Sequence, residues 1–289
     1  MLGEVRLERL HAVGRELLEP RLREVVLDPV QHAWIVHAEI IDRAPDGHMS
    51  HSAHLQQARV PAMKVVMLHS ALGDSRLWKR QVAALSAEHE VVTPDLPGWG
   101  ETPLPTEPFS FVDAAAEHLP AALVGNSFGG AVALRTALAK QELISRLVVV
   151  APGLPTWDWS EEMRTYWAAE EAAWEAGDFD LATEVNLDFW VKPEHHEEVR
   201  PQQRRAFELQ SAHEEPELVW PDMKPLKSLK MPTLVVVGAN DKADFQKIAE
   251  HFADEIPDSD LAIVPGAGHL VGVEQPEELN ALLLEFLED

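Results

Sequence analysis

The residues with the clearest chemical potential are Gly125-Asn126-Ser127-Phe128-Gly129-Gly130, which directly follow the apolar run AALV and directly precede the helical run AVALRTALAK. A serine on so tight a strand-to-helix turn has its hydroxyl pushed clear of the backbone, and only small neighbours let the chain pass that closely. The helix starting behind it adds a partial positive charge and unpaired backbone N–H groups that can meet a developing oxyanion. A Gly-rich turn whose serine caps the helix is the plainer alternative.

A serine hydroxyl is a poor nucleophile at neutral pH. It needs an imidazole to take its proton and return it to the leaving group, and a carboxylate to hold that imidazole in the right tautomer. His269 stands in Gly-Ala-Gly-His-Leu, where glycines let a loop bend back over a sheet, and Asp241 comes just after the apolar run TLVVVGA. Asp244 is a second candidate acid, although its place at the start of the next helical run suits an N-terminal charge. His69, at the end of KVVMLH, suits a hydrogen bond within its loop better than the role of base. His195 and His196 are adjacent, point apart on any helix and lack partners at metal spacing. With no Walker-type or dinucleotide loop either, neither a metal nor an organic cofactor is expected.

The elements that must position these groups alternate from Met63 onward. Strand candidates are KVVMLH (64–69), EVVTPD (90–95), AALVGN (121–126), RLVVVAP (146–152), TLVVVGA (233–239) and LAIVPG (261–266), each apolar on both faces. Helical patterns lie over 74–87, 129–140, 242–255 and 275–287, the last opening on Gln-Pro-Glu-Glu with proline in the first turn. This alternation predicts an α/β fold, a mostly parallel sheet flanked by helices, with its core in 63–153 and 231–289.

The stretch 154–230 interrupts the alternation: it has no credible strand but carries helical patterns such as EEMRTYWAAEEAAWEA and FDLATEVNLDFWV, and it reads as an inserted α-helical cap. Six of the nine tryptophans lie in it. A cap following a strand's carboxyl end roofs the crevice where open α/β sheets bind ligands, so one or two indoles, with Trp157 and Trp159 foremost, are expected to touch substrate, together with Leu270 beside the histidine.

Residues 1–62 differ from the remainder, with seven arginines, no lysine and six of the fourteen histidines. They read as an N-terminal extension, either a misassigned translation start or a hairpin or helix on the sheet edge. The functional domain is expected to begin near Met63.

Composition sets outer limits. The 289 residues carry 24 basic and 49 acidic side chains, a formal charge of −25 that repels phosphate backbones and anionic lipid, so a small molecule rather than nucleic acid or membrane is the expected partner. With no cysteine there is no disulfide, thiolate nucleophile or cysteine-bound metal, and with no signal-peptide pattern the cytoplasm is the expected location.

VGNSFGG resembles the nucleophile elbow of the α/β-hydrolase superfamily. Other signposts follow in order: VVMLHSALGDSRLW resembles the His-Gly oxyanion segment, VVTPDLPGWGET the Asp-x-x-Gly-x-Gly-x-Ser turn, VVVGANDKADF the acid loop and VPGAGHLVGVEQPEEL the histidine loop. The resemblance implies Ser127 as nucleophile, Asp241 as acid and His269 as base. It also implies an oxyanion hole from the backbone N–H groups of Phe128 and Ala71. Ser70 stands where the family usually has glycine and Thr102 where it often has serine. The implied reaction is acyl transfer through a serine acyl-enzyme, with an ester or lactone as substrate.

The elbow is also similar to that of meta-cleavage-product hydrolases, which split carbon–carbon bonds. Against that reading, Ser70-Ala71-Leu72-Gly73 replaces their oxyanion loop, and Leu270 stands where they often carry tryptophan. A cofactor-free haloperoxidase or perhydrolase would use the same three residues, whereas a non-catalytic binding scaffold is expected to have lost one of them.

Overall fold

Successive side chains of a strand point to opposite faces, so a strand covered by helices on both sides must be apolar at nearly every position. The computed structural model describes residues 63–214 and 216–288. Residues 1–62, read above as an extension, lie outside the described residues. The strands are β1 (Lys64–Leu68), β2 (Glu90–Val92), β3 (Ala121–Asn126), β4 (Ile144–Val150), β5 (Thr233–Gly238) and β6 (Ser259–Val264). They form one parallel sheet in the order β2-β1-β3-β4-β5-β6. The inner strands β1, β3, β4 and β5 largely satisfy the demand for apolar residues on both faces, whereas the edge strands β2 and β6 are only partly covered.

The helices among the described residues are α1 (Lys79–Leu85), α2 (Phe111–Ala116), α3 (Phe128–Ala139), α4 (Glu161–Glu175), α5 (Phe179–Trp190), α6 (His196–Gln210), α7 (Ala243–Glu255), α8 (Val271–Glu274) and α9 (Pro276–Glu288). Val66, Leu68, Leu123, Val149 and Val235 share one buried cluster with α2, α3 and α7. Val65, Met67, Val124, Val148 and Val236 share the other with α1, α8 and α9. Each such side chain, taken fully from water, contributes roughly 1.5–3 kcal/mol.

The helix expected over 74–87 is divided. The Asp74 carboxylate accepts from Arg76 N–H at 3.1 Å and caps a 3₁₀ turn, Ser75–Trp78, before α1 begins. The helix expected over 275–287 is α9, which starts on Pro276 and is preceded by the single turn α8. Two short helices had no counterpart in the pattern, the six-residue α2 and the single turn α8, while α6, within the stretch read as helical, contains Pro201, which by itself reads as a helix breaker.

Between β4 and β5 the chain carries α4, α5 and α6 and no strand of the sheet. The Ser160 hydroxyl accepts from Met163 N–H, and Glu161 and Glu162 occupy the first turn of α4, where the helix dipole favours carboxylates. The Asp178 carboxylate caps α5 through Leu181 N–H at 3.0 Å. No helix of the described residues is long and apolar enough to cross a membrane.

Candidate active site

The elbow follows β3 directly. Ser127 has φ 54° and ψ −113°, a backbone conformation that an L-residue holds only under strain. Its N–H donates to the Val150 carbonyl of β4 at 2.8 Å, and its carbonyl accepts the first helical bond of α3, from Ala131. Close approach explains two of the glycines. A Cβ on Gly125 would lie 2.2 Å from the Gly129 carbonyl oxygen, and one on Gly129 would lie 2.2 Å from that of Leu68. The Ser127 hydroxyl makes no capping bond to α3, which removes the plainer reading of this turn.

The hydroxyl instead meets His269, whose Nε2 lies 2.8 Å from Ser127 Oγ. His269 Nδ1 lies 3.1 Å from Asp241 Oδ1 and 3.0 Å from Oδ2. A carboxylate can only accept, so the imidazole proton sits on Nδ1 and Nε2 is left to accept from the serine. The three residues follow the carboxyl ends of β3, β5 and β6, and the imidazole and carboxylate are almost wholly buried. Asp241 Oδ1 also accepts from Lys242 N–H at 2.7 Å, and the Gln246 amide donates to the Asp241 carbonyl at 2.8 Å. Asn126 Nδ2 bridges the Val150 and His269 carbonyls at 3.1 and 3.3 Å, tying the elbow to the histidine loop.

Asp244 does not approach the imidazole. Its carboxylate accepts from Trp157 Nε1 at 3.2 Å and from Ser160 N–H at 3.4 Å, so it holds the segment that leads into α4. His69 is fully buried and accepts Leu96 N–H at Nε2 (2.9 Å), while its Nδ1–H donates to the Ser70 carbonyl (2.9 Å). Burial pushes its pKa below the ordinary 6.5, against the raising effect of the Ser70 carbonyl and the more distant Asp95 and Asp74. His69 is a neutral loop anchor.

The segment after β1 is held from several sides. Ser70 Oγ accepts Leu72 N–H at 3.3 Å, so the serine at this position closes a local turn. The Ala71 carbonyl accepts Trp99 Nε1 at 2.9 Å; with the Gln203 amide of α6 turned so that its nitrogen faces them, the Ala71 and Leu72 carbonyls each accept from it at 3.1 Å. The N–H groups of Ala71 and Phe128 have no acceptor among the described residues. Trp99 also stacks on Phe128, with centroids 5.3 Å apart. It therefore touches both residues expected to supply oxyanion donors.

The turn after β2 is built on Asp95. Its carboxylate accepts Ser75 N–H at 2.8 Å and Glu101 N–H at 2.9 Å, joining this turn to the segment after β1. Burial alone would raise the Asp95 pKa, but these hydrogen bonds hold it below the usual value.

The three side chains expected to line a substrate site each pack against protein neighbours. Leu270 is buried in a cluster with Leu72, Leu187, Val191 and Val273. Trp159 is buried against Trp167 and Phe245, and Trp157 is held by Asp244. The indole over the imidazole is Trp190, at the end of α5, with centroids 4.3 Å apart, and Phe245 meets the same ring edge-on at 4.6 Å. Sequence reading missed Trp190, Phe245, Trp99, Lys192 and Glu274. Trp190 was visible as the last aromatic of the pattern FDLATEVNLDFWV, but nothing in that pattern says which indole turns toward the imidazole. Of two open surface depressions, about 540 Å³ against α5 and α6 and about 290 Å³ beside the start of β1, neither includes Ser127.

A parallel sheet with a strained serine after a central strand, and an imidazole and carboxylate delivered from later strands, defines an α/β-fold hydrolase. The chain belongs to the alpha/beta hydrolase family, whose model matches residues 65–282. It is 26% identical over 246 residues to the carboxylesterase YbfK of Bacillus subtilis, covering 78% of this chain and 80% of that protein. It is 25% identical over 234 residues to the 2-hydroxy-6-oxo-6-(2'-aminophenyl)hexa-2,4-dienoic acid hydrolase of Metapseudomonas resinovorans, covering 73% and 78%. The crystal structure of the carboxylesterase CesB (YbfK) from Bacillus subtilis superposes with a TM-score of 0.65 at 23% identity, over 78% of this chain and 84% of that one.

Proposed function

We propose that the protein is a serine hydrolase that cleaves an ester or lactone of a small, partly apolar substrate through an acyl-enzyme. The observation that carries this reading is the continuous hydrogen-bonded chain from Ser127 Oγ through His269 to Asp241. In it Ser127 attacks the carbonyl carbon as His269 Nε2 takes its proton, and His269 then protonates the leaving alkoxide. Asp241 stabilises the imidazolium without accepting its proton. Water deprotonated by His269 releases the acid. The unpartnered N–H groups of Phe128 and Ala71 supply the oxyanion donors.

Resemblance to a carboxylesterase supports the ester reading. The second resemblance keeps carbon–carbon bond hydrolysis as the alternative, since that relative acts on a dienoic acid. Labelling with a fluorophosphonate probe, followed by a panel of p-nitrophenyl esters of rising chain length beside a dienone acid, tests both. Labelling at Ser127 with ester turnover is expected. Turnover confined to the dienone acid would transfer the assignment to the alternative, and an unlabelled protein would end the serine-hydrolase reading.

A further inference from the structure

The loop carrying His269 contains Gly266 and Gly268, the first at φ 75°, so it has little stiffness of its own. Contacts from outside must hold it. One fully buried carboxylate does much of this: Glu274 of α8 accepts Gly268 N–H at 2.8 Å and Leu270 N–H at 3.3 Å, the two amides flanking His269. Lys192 Nζ lies 3.0 Å from Glu274 Oε2, and the same ammonium donates to the Gly266 carbonyl. Lys192 stands two residues beyond Trp190, whose indole covers the imidazole. One short segment of the helical insertion therefore both caps the imidazole face and neutralises the carboxylate beneath its loop.

We propose that Glu274 and Lys192 are a positioning pair that aligns the His269 imidazole with Ser127, so that the alignment depends on how the segment following α5 is seated. The inference rests on the serine-hydrolase reading. Proton transfer between Oγ and Nε2 tolerates little displacement, and a misplacement of about 1 Å can lower the rate about 100-fold. A buried carboxylate without its cation would be repelled from its site, and the two amides it grips would move with it.

The pair also has an electrostatic signature. Among the charged groups, Asp241 meets the imidazole at Nδ1, Glu274 and Lys192 lie at its loop, and Lys242 is bonded through its backbone to Asp241; Asp244, in the first turn of α7, is turned to Trp157 and Ser160, and Trp190 and Phe245 supply uncharged faces. Removing the Glu274 charge destabilises the imidazolium, and removing the Lys192 charge stabilises it.

The test compares wild type, Glu274→Gln, Lys192→Met and Lys192→Arg, each verified as folded by circular dichroism. It measures p-nitrophenyl acetate turnover across roughly pH 5 to 9 and the rate of fluorophosphonate labelling. In Glu274→Gln and Lys192→Met we expect kcat to fall about tenfold or more with KM within about threefold, and labelling to slow in parallel. The acidic limb of kcat/KM should move to lower pH in Glu274→Gln and to higher pH in Lys192→Met. Lys192→Arg, which keeps the charge, should retain most activity. Lys192 is partly exposed and carries the test if Glu274→Gln does not fold. A labelled wild type whose folded variants keep wild-type kcat and pH limbs overturns this inference alone. An unlabelled wild type overturns the nucleophile assignment and this inference with it.

Discussion

The Trp190 indole lies over the His269 imidazole with ring centroids 4.3 Å apart and planes inclined by 35°. A side chain from α5 thus forms one wall of the proton-transfer site, and the π-face it presents favours an imidazolium at the moment the serine is deprotonated. Such a stack is worth about 0.5–1.5 kcal/mol. Trp190→Ala is therefore expected to lower kcat/KM for a short ester roughly three- to tenfold, with Trp190→Phe retaining most of it. Unchanged kcat/KM in Trp190→Ala would show that the stack does not bear on turnover.

Ser127→Ala should lower kcat by a factor on the order of 10⁴ to 10⁶ and abolish fluorophosphonate labelling while leaving the fold intact. The strained φ of this residue adds a second expectation. Ser127→Gly relieves strain on the order of 1 kcal/mol and should melt no lower than Ser127→Ala, each kcal/mol corresponding to roughly 2–4 °C in a chain of this size. Differential scanning calorimetry of the two variants checks it.

Asp241 and Asp244 separate by function. Asp241→Asn keeps the shape but favours the wrong imidazole tautomer, and a loss in kcat on the order of 10⁴ is expected. Asp244→Asn weakens the hold on Trp157 and Ser160, so its effect should appear chiefly in melting temperature. The reverse ranking in an ester assay would move the acid role to Asp244.

Stability should depend on pH in two windows. Burial holds the His69 pKa below its ordinary 6.5, and a proton on Nε2 would also displace Leu96 N–H. The unfolded chain then binds more protons, so this contribution is complete above pH 6.5 and declines as pH falls below it, by at most about 1.4 kcal/mol per pH unit. Glu198 of α6 is held at about 2 rather than 4.5, first by its hydrogen bond from Arg80 and then by Lys79. Its contribution is present above pH 4.5 and is lost as pH falls toward 2. Urea midpoints followed against pH should show a shallower decline just below 6.5 in His69→Gln, and a diminished acid limb in Glu198→Gln.

Much of this was legible without coordinates, and the particular residues show why. Val65 through Leu68 and Leu234 through Val237 read as strands because a strand buried on both faces needs an apolar residue at every position, a demand each segment satisfies locally. Gly125 and Gly129 announced the elbow because their neighbours leave no room for a side chain. Within α6, Pro201 shows the limit: it carries a local signal against helix, and packing of Val199, Ala206 and Phe207 overrides it.

What the amino-acid order determined by itself, then, was the α/β alternation and the turn able to present Ser127, since periodicity and steric room are properties of neighbouring residues. Which carboxylate reaches the imidazole, which of six indoles covers it and which buried glutamate holds its loop were decided only by the tertiary structure. Trp190 and Glu274 meet the histidine loop through the packing of α5 and α8 against it, and that depends on the direction each side chain takes from its helix once distant segments are seated together.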